Sequence, residues 1–168
     1  AIGRRRTILV LAVMFFVGVG FVVFAPSSPD AGFAVVVFGR IILGLAVGGA
    51  STVVPVYLAE LAPFEIRGSI TGRNEMAIVT GQFLAFSVNA MLDASLGHVT
   101  GIWRVMFAVC AVPAVGLFFG MLRMPESPRW LVEKGRIEEA LAVLDTIRSK
   151  QRAKAELADI EALTAEAI

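Results

Sequence analysis

Charge is scarce in this chain and absent from four long stretches of it. Only 17% of the residues are charged, whereas 57% are hydrophobic. The stretches without Asp, Glu, Lys or Arg are Thr7–Ala25, Ile41–Ala59, Met76–Leu92 and Val105–Leu122. The hydrocarbon core of a bilayer is about 30 Å thick and needs about 20 apolar helical residues to cross it. The sequence therefore predicts an all-α integral membrane bundle that has the lipid bilayer as a partner, and not a soluble domain.

Cysteine and histidine are almost missing as well. Cys110 and His98 are each the only residue of their type, so no disulfide can form within the chain and no Cys/His cluster suggests a metal. There is no nucleophile with a base nearby and no glycine loop that could bind phosphate. These absences predict no metal, no cofactor and no enzymatic activity. The basic residues flank hydrophobic stretches instead of forming a separate basic domain, which argues against nucleic acid as a partner.

The charged connectors predict how the chain crosses the membrane. Basic residues precede the first stretch, occupy the connector at 60–75 and follow the fourth stretch. The positive-inside rule therefore places both ends of the chain in the cytoplasm of a cell-membrane protein. The expected layout is a cytoplasmic loop at 1–6, a transmembrane region at 7–124 with helices at about 7–25, 33–59, 70–92 and 104–123, and a cytoplasmic helical domain at 125–168. Because position 1 is not methionine, we expect the chain to begin within a larger protein.

The residues after 125 predict soluble helices that pack on the inner surface of the membrane region. Ser127 followed by proline is typical of a helix start, and Gly135 is expected to end that short helix. The apolar side chains of the next helix recur on one face, at Ile137, Leu141, Leu144 and Ile147. A third helix is indicated by Leu157, Ile160 and Leu163.

Arg40 is the most informative residue within the hydrophobic stretches. A centrally placed arginine costs about 2.5–3.5 kcal/mol to insert, so it is expected to face the bundle interior or an acidic partner. Snorkelling of its side chain to the outer interface is the alternative. Gly44, Gly48, Ser51 and Pro55 follow it at helical spacing on the same face. The two glycines form a GxxxG pattern, which allows another backbone to approach closely.

Gln82 and Asn89 form a second polar group inside a hydrophobic stretch. They follow Glu75 at intervals of seven, so all three lie on one side of the helix. Each amide carries donors and an acceptor that must be satisfied in hydrocarbon. One interpretation is a hydrogen bond between helices. The other is contact with a hydroxyl-rich ligand in an internal cavity.

Five motifs, in this order and spacing, resemble those of the sugar porter family of the major facilitator superfamily. They are GRRR at Gly3–Arg6, RIILGLAVGG at Arg40–Gly49, PVYLAELAPFEIRG at Pro55–Gly68, GQ at Gly81–Gln82 and PESPRWL at Pro125–Leu131. The resemblance implies a major facilitator fold with twelve helices in two halves, which move about a central sugar site. The four stretches here would be the third to sixth helices, and the tail would be the intracellular helical domain.

The resemblance also implies roles for individual residues. Gln82 matches the sugar-contacting glutamine of the family. Asn89 is a second candidate for contact with the substrate because of its spacing from Gln82, and not because of the resemblance. Arg40 matches an arginine that, in proton symporters, lies near an acidic residue of the first helix, which is missing from this chain. The residues that match a cytoplasmic charge network closing the inner side are Arg4, Arg5, Glu60, Arg67, Glu126 and Arg129. Ordinary positive-inside anchoring is the alternative interpretation of those charges.

The expected function is secondary active or facilitative transport of a sugar, such as a hexose, a pentose or a polyol. The expected partners are the sugar, a proton where transport is coupled, and the missing remainder of the same transporter. Three alternatives differ in class: a sugar sensor that does not transport, a structural membrane protein, and an organic-ion transporter of the same superfamily. The last would carry acidic or aromatic residues in place of Gln82 and Asn89.

Overall fold

The chain folds into helices joined by short connections. A computed structural model describes residues 3–63, 66–147 and 149–166, with the side chains of all of these except 67 and 163–166. Within these ranges the helices are α1 (Arg4–Val23), α2 (Pro29–Leu61), α3 (Arg67–Leu96), α4 (Ile102–Val109), α5 (Ala111–Arg123), α6 (Pro128–Glu133), α7 (Ile137–Ile147) and α8 (Lys150–Glu166). No strand occurs in the described part of the chain. The predicted all-α class is confirmed.

Four helical segments are long and apolar enough to cross a membrane. They are Arg4–Val23, Pro29–Leu61, Gly68–Leu96 and Ile102–Arg123. The fourth consists of α4 and α5, which meet at Cys110. Pro113 lies just beyond this junction, and because proline has no N–H it cannot donate to the carbonyl four residues earlier. The 33 residues of α2 extend about 50 Å at 1.5 Å per residue, so this helix continues well past the hydrocarbon.

The most extensive helix contact is between α1 and α2, where two glycines face each other. A Cβ atom on Gly39 would lie 3.0 Å from the carbonyl oxygen of Gly18 and 2.9 Å from a methyl carbon of Val22. The expected close approach at Gly44 and Gly48 is not seen in the described structure, since a Cβ atom on either would meet nothing within 4 Å. Gly44 and Gly48 lie on a different face of α2 from the one that packs against α1.

Replacing Gly39 by alanine is expected to lower the stability of the full-length protein. The added methyl would press against backbone atoms, and overpacking of this kind costs about 1–3 kcal/mol. Gly20→Ala on α1 is the matched control, because a Cβ atom there meets nothing within 4 Å. Thermal unfolding of the purified protein in detergent measures both variants. Equal melting temperatures for the two would contradict the packing described here.

The tail forms a small helical unit with its own apolar core. This core contains the buried residues Trp130, Leu131, Val132, Ala140 and Ile160. As predicted, Ser127 caps α6, accepting from the backbone N–H of Trp130 at 3.5 Å. Gly135 follows the end of α6 with a φ of 72°, a left-handed conformation that glycine adopts without a Cβ penalty.

The apolar stripe expected on α7 is rotated from its predicted position. Ala140 and Leu144 are fully buried, whereas Ile137 and Ile147 are 42% and 39% exposed. The helix contacts both α6 and α8, and Ala140 and the partly buried Val143 are its side chains in the core that they share. Spacing alone favoured the larger isoleucines, because it could not show where the neighbouring helices would lie.

Candidate functional site

Glu60 is the centre of a polar cluster at one end of the four spans. It lies in the last turn of α2, and its side chain is only 9% exposed. One carboxylate oxygen lies 3.1 Å from Nη2 of Arg4, at the start of α1. The other accepts a hydrogen bond of 2.5 Å from the hydroxyl of Ser127, at the start of α6. One carboxylate therefore connects three helices that are far apart in the sequence.

Arg5 and Glu126 form the second half of this cluster. The backbone N–H of Arg5 donates to Oε1 of Glu126 at 2.9 Å, so the carboxylate lies against the first turn of α1, where the helix dipole favours negative charge. The guanidinium of Arg5 donates to the backbone oxygens of Met121 and Leu122 at 3.0 and 2.7 Å. Carbonyl groups in the last turn of a helix lack intrahelical partners. Arg5, at the start of α1, therefore donates hydrogen bonds to two carbonyl groups at the end of α5.

Tyr57 holds α2 against the same junction. Its side chain is 2% exposed and packs with Ile8 and Met121. Its hydroxyl donates to the backbone oxygen of Pro125 at 2.6 Å. A buried tyrosine hydroxyl needs such a partner, because leaving it unpaired costs free energy. This bond fixes the connection between α5 and α6 relative to α2.

The structure brings together four of the six residues predicted for the charge network. Arg4, Arg5, Glu60 and Glu126 are within the cluster. Arg129 is exposed and forms no ion pair within the described part of the chain. The side chain of Arg67 lies outside the described residues.

Sequence reasoning missed two members of this cluster. Glu133 lies 3.7 Å from Nη1 of Arg4, and nothing in the sequence distinguished it from the other charged residues of the tail. Ser127 was expected only as a helix cap. A serine hydroxyl can accept one hydrogen bond and donate another at the same time. A capping serine therefore still has a proton to donate, and this could have indicated an acidic partner such as Glu60.

The face of α2 that carries Arg40 is open in this chain. Arg40, Gly44, Gly48 and Ser51 are all exposed. The guanidinium of Arg40 lies over the ring of Phe107 in α4, 4.8 Å from its centroid, in the geometry of a cation–π contact. No acidic side chain within the described ranges pairs with it.

Gln82 lines a cavity of about 770 Å³ between the four spans. The α3 face that borders the cavity carries Asn74, Ile78, Gly81 and Gln82. The other walls come from α1, α2, α5 and Cys110, which precedes α5. Most of the lining residues are apolar. The side chain of Gln82 is exposed and makes no hydrogen bond to the described protein.

Asn89 lies two turns further along α3 and is partly buried. It is not among the residues that line the cavity. Its amide forms no hydrogen bond with any described group. The helix-to-helix hydrogen bond considered for the two amides is therefore not formed in the described part of the chain.

The comparisons with known proteins agree with the motifs. Residues 1–167 match the family model described as "Sugar (and other) transporter". The chain belongs to this sugar transporter family. It is 52% identical over 159 residues to the major myo-inositol transporter IolT of Bacillus subtilis (strain 168). This alignment covers 95% of the chain and 33% of IolT. It is 44% identical over 145 residues to a D-xylose transporter of Levilactobacillus brevis, covering 86% of this chain and 30% of that protein.

The fold of this sugar transporter chain also matches a solved structure. The proton:xylose symporter XylE from E. coli, bound to 6-bromo-6-deoxy-D-glucose, aligns with a TM-score of 0.88 and 33% sequence identity, covering 97% of this chain and 38% of XylE. The predicted membership in the sugar porter family of the major facilitator superfamily is confirmed. The chain spans about a third of the length of the relatives that it matches.

Proposed function

We propose that the full-length protein carries a sugar or polyol across the cell membrane by alternating access. The observation that carries this proposal is the unpaired amide of Gln82 on the wall of the cavity between the spans. An amide both donates and accepts hydrogen bonds, as a sugar hydroxyl does. The names of the relatives support the same chemistry, because myo-inositol and D-xylose are both polyhydroxylated. No bond of the solute is made or broken.

Asn89 is the second proposed contact to the substrate. It lies on the same side of α3 as Gln82, about 10 Å along the axis at 1.5 Å per residue. A hydroxyl-rich ligand between the two could satisfy both amides, which lack partners in the described chain. Because most of the cavity wall is apolar, we expect helices from the rest of the protein to supply further polar groups.

Arg40 is proposed to take part in coupling transport to a proton. XylE is named as a proton:xylose symporter, and symport needs a group whose charge environment changes between states. The exposed guanidinium of Arg40 rests on an aromatic face, so an acidic residue from the rest of the protein could reach it. Facilitative transport without a proton is the competing possibility, and the two differ in whether sugar uptake acidifies the interior of a vesicle.

The Glu60 cluster is proposed to act as a gate on the cytoplasmic side. Its ion pair and hydrogen bonds join the ends of α1, α2, α5 and α6, and separating these ends would break them. Such contacts can bias two conformations by a few kcal/mol, a difference that changes their populations strongly. The positive-inside rule supports the cytoplasmic placement of this end and of both chain ends.

Gln82→Ala is expected to weaken sugar binding by the full-length protein roughly tenfold, because one or two hydrogen bonds to a hydroxyl are lost. The matched control is Gln151→Ala, which makes the same change at an exposed position of α8. Binding of myo-inositol and D-xylose to the purified proteins can be measured by isothermal titration. If Gln82→Ala bound both sugars as tightly as the control, Gln82 would not be a substrate contact.

A further inference from the structure

A second cavity lies at the opposite ends of the spans from the Glu60 cluster. Its volume is about 670 Å³, and it lies between the α1–α2 connection and the loop before α4. Its walls include Ser27, Ser28, Thr100, Trp103 and Arg104. Arg104 is the single charged residue of the lining, and no acidic side chain contributes to it. The function proposed above does not use this cavity.

Arg104 has more hydrogen-bond donors than its surroundings satisfy. Nη2 donates to the backbone oxygen of Ala25 at 2.8 Å, which anchors the guanidinium. Nε is shielded from solvent and has no partner among the described residues. A guanidinium carries five N–H donors in a planar fork, so four remain without a protein acceptor in the described chain. The ring of Trp103 lies 5.1 Å from the guanidinium carbon, in the geometry of a cation–π contact, and supplies no hydrogen-bonding oxygen.

The other polar groups of the cavity also favour an anion. Ser27, Ser28 and Thr100 supply three hydroxyl groups. Gly101 precedes α4, and Trp103 in the first turn of this helix lines the same cavity. The N-terminus of α4 therefore borders the space, and helix N-termini favour negative charge. In the described structure the hydroxyl of Ser28 makes no capping bond to its own helix. Asp30, in the first turn of α2, is exposed and does not line the cavity.

We propose that this cavity is a binding site for a phosphate oxyanion, and that its ligand is the phosphodiester of a lipid headgroup. Arginine suits phosphate oxygens because its fork donates two parallel hydrogen bonds. The cavity lies where the spans end, the depth at which headgroups and tryptophan side chains are found. Phe33 and Val36 in its wall offer apolar contact to the lipid glycerol region. The bound lipid would join the ends of α1, α2 and α4.

The test is native mass spectrometry of the full-length protein in detergent, titrated with phosphatidylglycerol and, separately, with inorganic phosphate. Arg104→Gln is expected to weaken retention of one phosphatidylglycerol about tenfold, the size of a lost charge-assisted hydrogen bond. Arg123→Gln is the matched control, because it removes an exposed arginine from the other end of the fourth span and is expected to change nothing. The double variant Ser28→Ala, Thr100→Ala keeps Arg104 and is expected to weaken the same binding several-fold.

Each outcome of this titration decides the proposal. Loss of one phosphatidylglycerol in Arg104→Gln and in the hydroxyl variant, but not in Arg123→Gln, supports the site. Binding of inorganic phosphate alone, with the same dependence on Arg104, keeps the oxyanion site and overturns the lipid as its source. Equal losses in the Arg104 and Arg123 variants would show a diffuse effect of charge and overturn the proposal, as would binding that neither variant changes. Sugar binding is measured separately, so a result that contradicts the proposed transport function would not change the interpretation of the lipid titration.

Discussion

If the Glu60 cluster is the proposed gate, replacing Glu60 by arginine is expected to shift the full-length protein toward an inward-open state. The new guanidinium would lie next to that of Arg4, whose Nη2 is now 3.1 Å from the carboxylate of Glu60. The substitution would also remove the carboxylate oxygen that accepts the hydrogen bond from the Ser127 hydroxyl. The carboxylate is largely buried and Arg4 is partly exposed. Losing this partly screened pair is therefore expected to cost about 2–3 kcal/mol, less than a fully buried pair. That difference moves a conformational equilibrium by about 30- to 150-fold.

The shift can be measured by cysteine labelling from the cytoplasmic side. Ser51→Cys, in a background without other cysteines, places a thiol on the exposed face of α2 that also carries Arg40. Its labelling rate by a membrane-impermeant maleimide should rise strongly when Glu60→Arg is added. Glu138→Arg makes the same charge change at an exposed position of α7 and should leave the rate unchanged. A labelling rate that Glu60→Arg does not alter would argue against the gate.

The spans and the class of fold could be predicted from the sequence because they depend on composition alone. A run of about 20 residues without charge has few stable alternatives to a helix in a membrane. The helix start at Ser127 and the stop near Gly135 were also predictable, because both depend on neighbouring residues only. Such features can be predicted without knowing which helices pack against each other.

The contacts between helices could not be predicted in the same way. Arg4 and Glu60 are 56 positions apart, and their meeting depends on how α1 crosses α2. That crossing is set by Gly18 and Gly39, which no short sequence pattern distinguishes from Gly44 and Gly48. The family resemblance placed Arg129 in the charge network, whereas the structure places Glu133 there instead. Long charged side chains at exposed positions have many possible partners, and the geometry selects among them.

Residues 1–168 alone are expected to show no transport. Alternating access needs two halves that move about a shared site, and this chain spans about a third of the length of its relatives. In the described structure Arg40 and Gln82 are exposed on their helices, and Asn89 has no hydrogen-bond partner. Polar groups exposed to lipid are costly, about 2.5–3.5 kcal/mol for a central arginine. The isolated chain should therefore associate non-specifically or insert poorly.

The measurement is uptake of labelled myo-inositol and D-xylose into proteoliposomes that contain residues 1–168, with empty vesicles as the baseline and the full-length protein as the positive control. We expect uptake at the baseline for the isolated chain and saturable uptake for the full-length protein. Co-expression of residues 1–168 with the remaining sequence as separate chains should restore part of the uptake, because the exposed faces would regain their partners. Saturable, sugar-specific uptake by residues 1–168 alone would show that these faces do not need partners, and that four spans suffice for a path through the membrane.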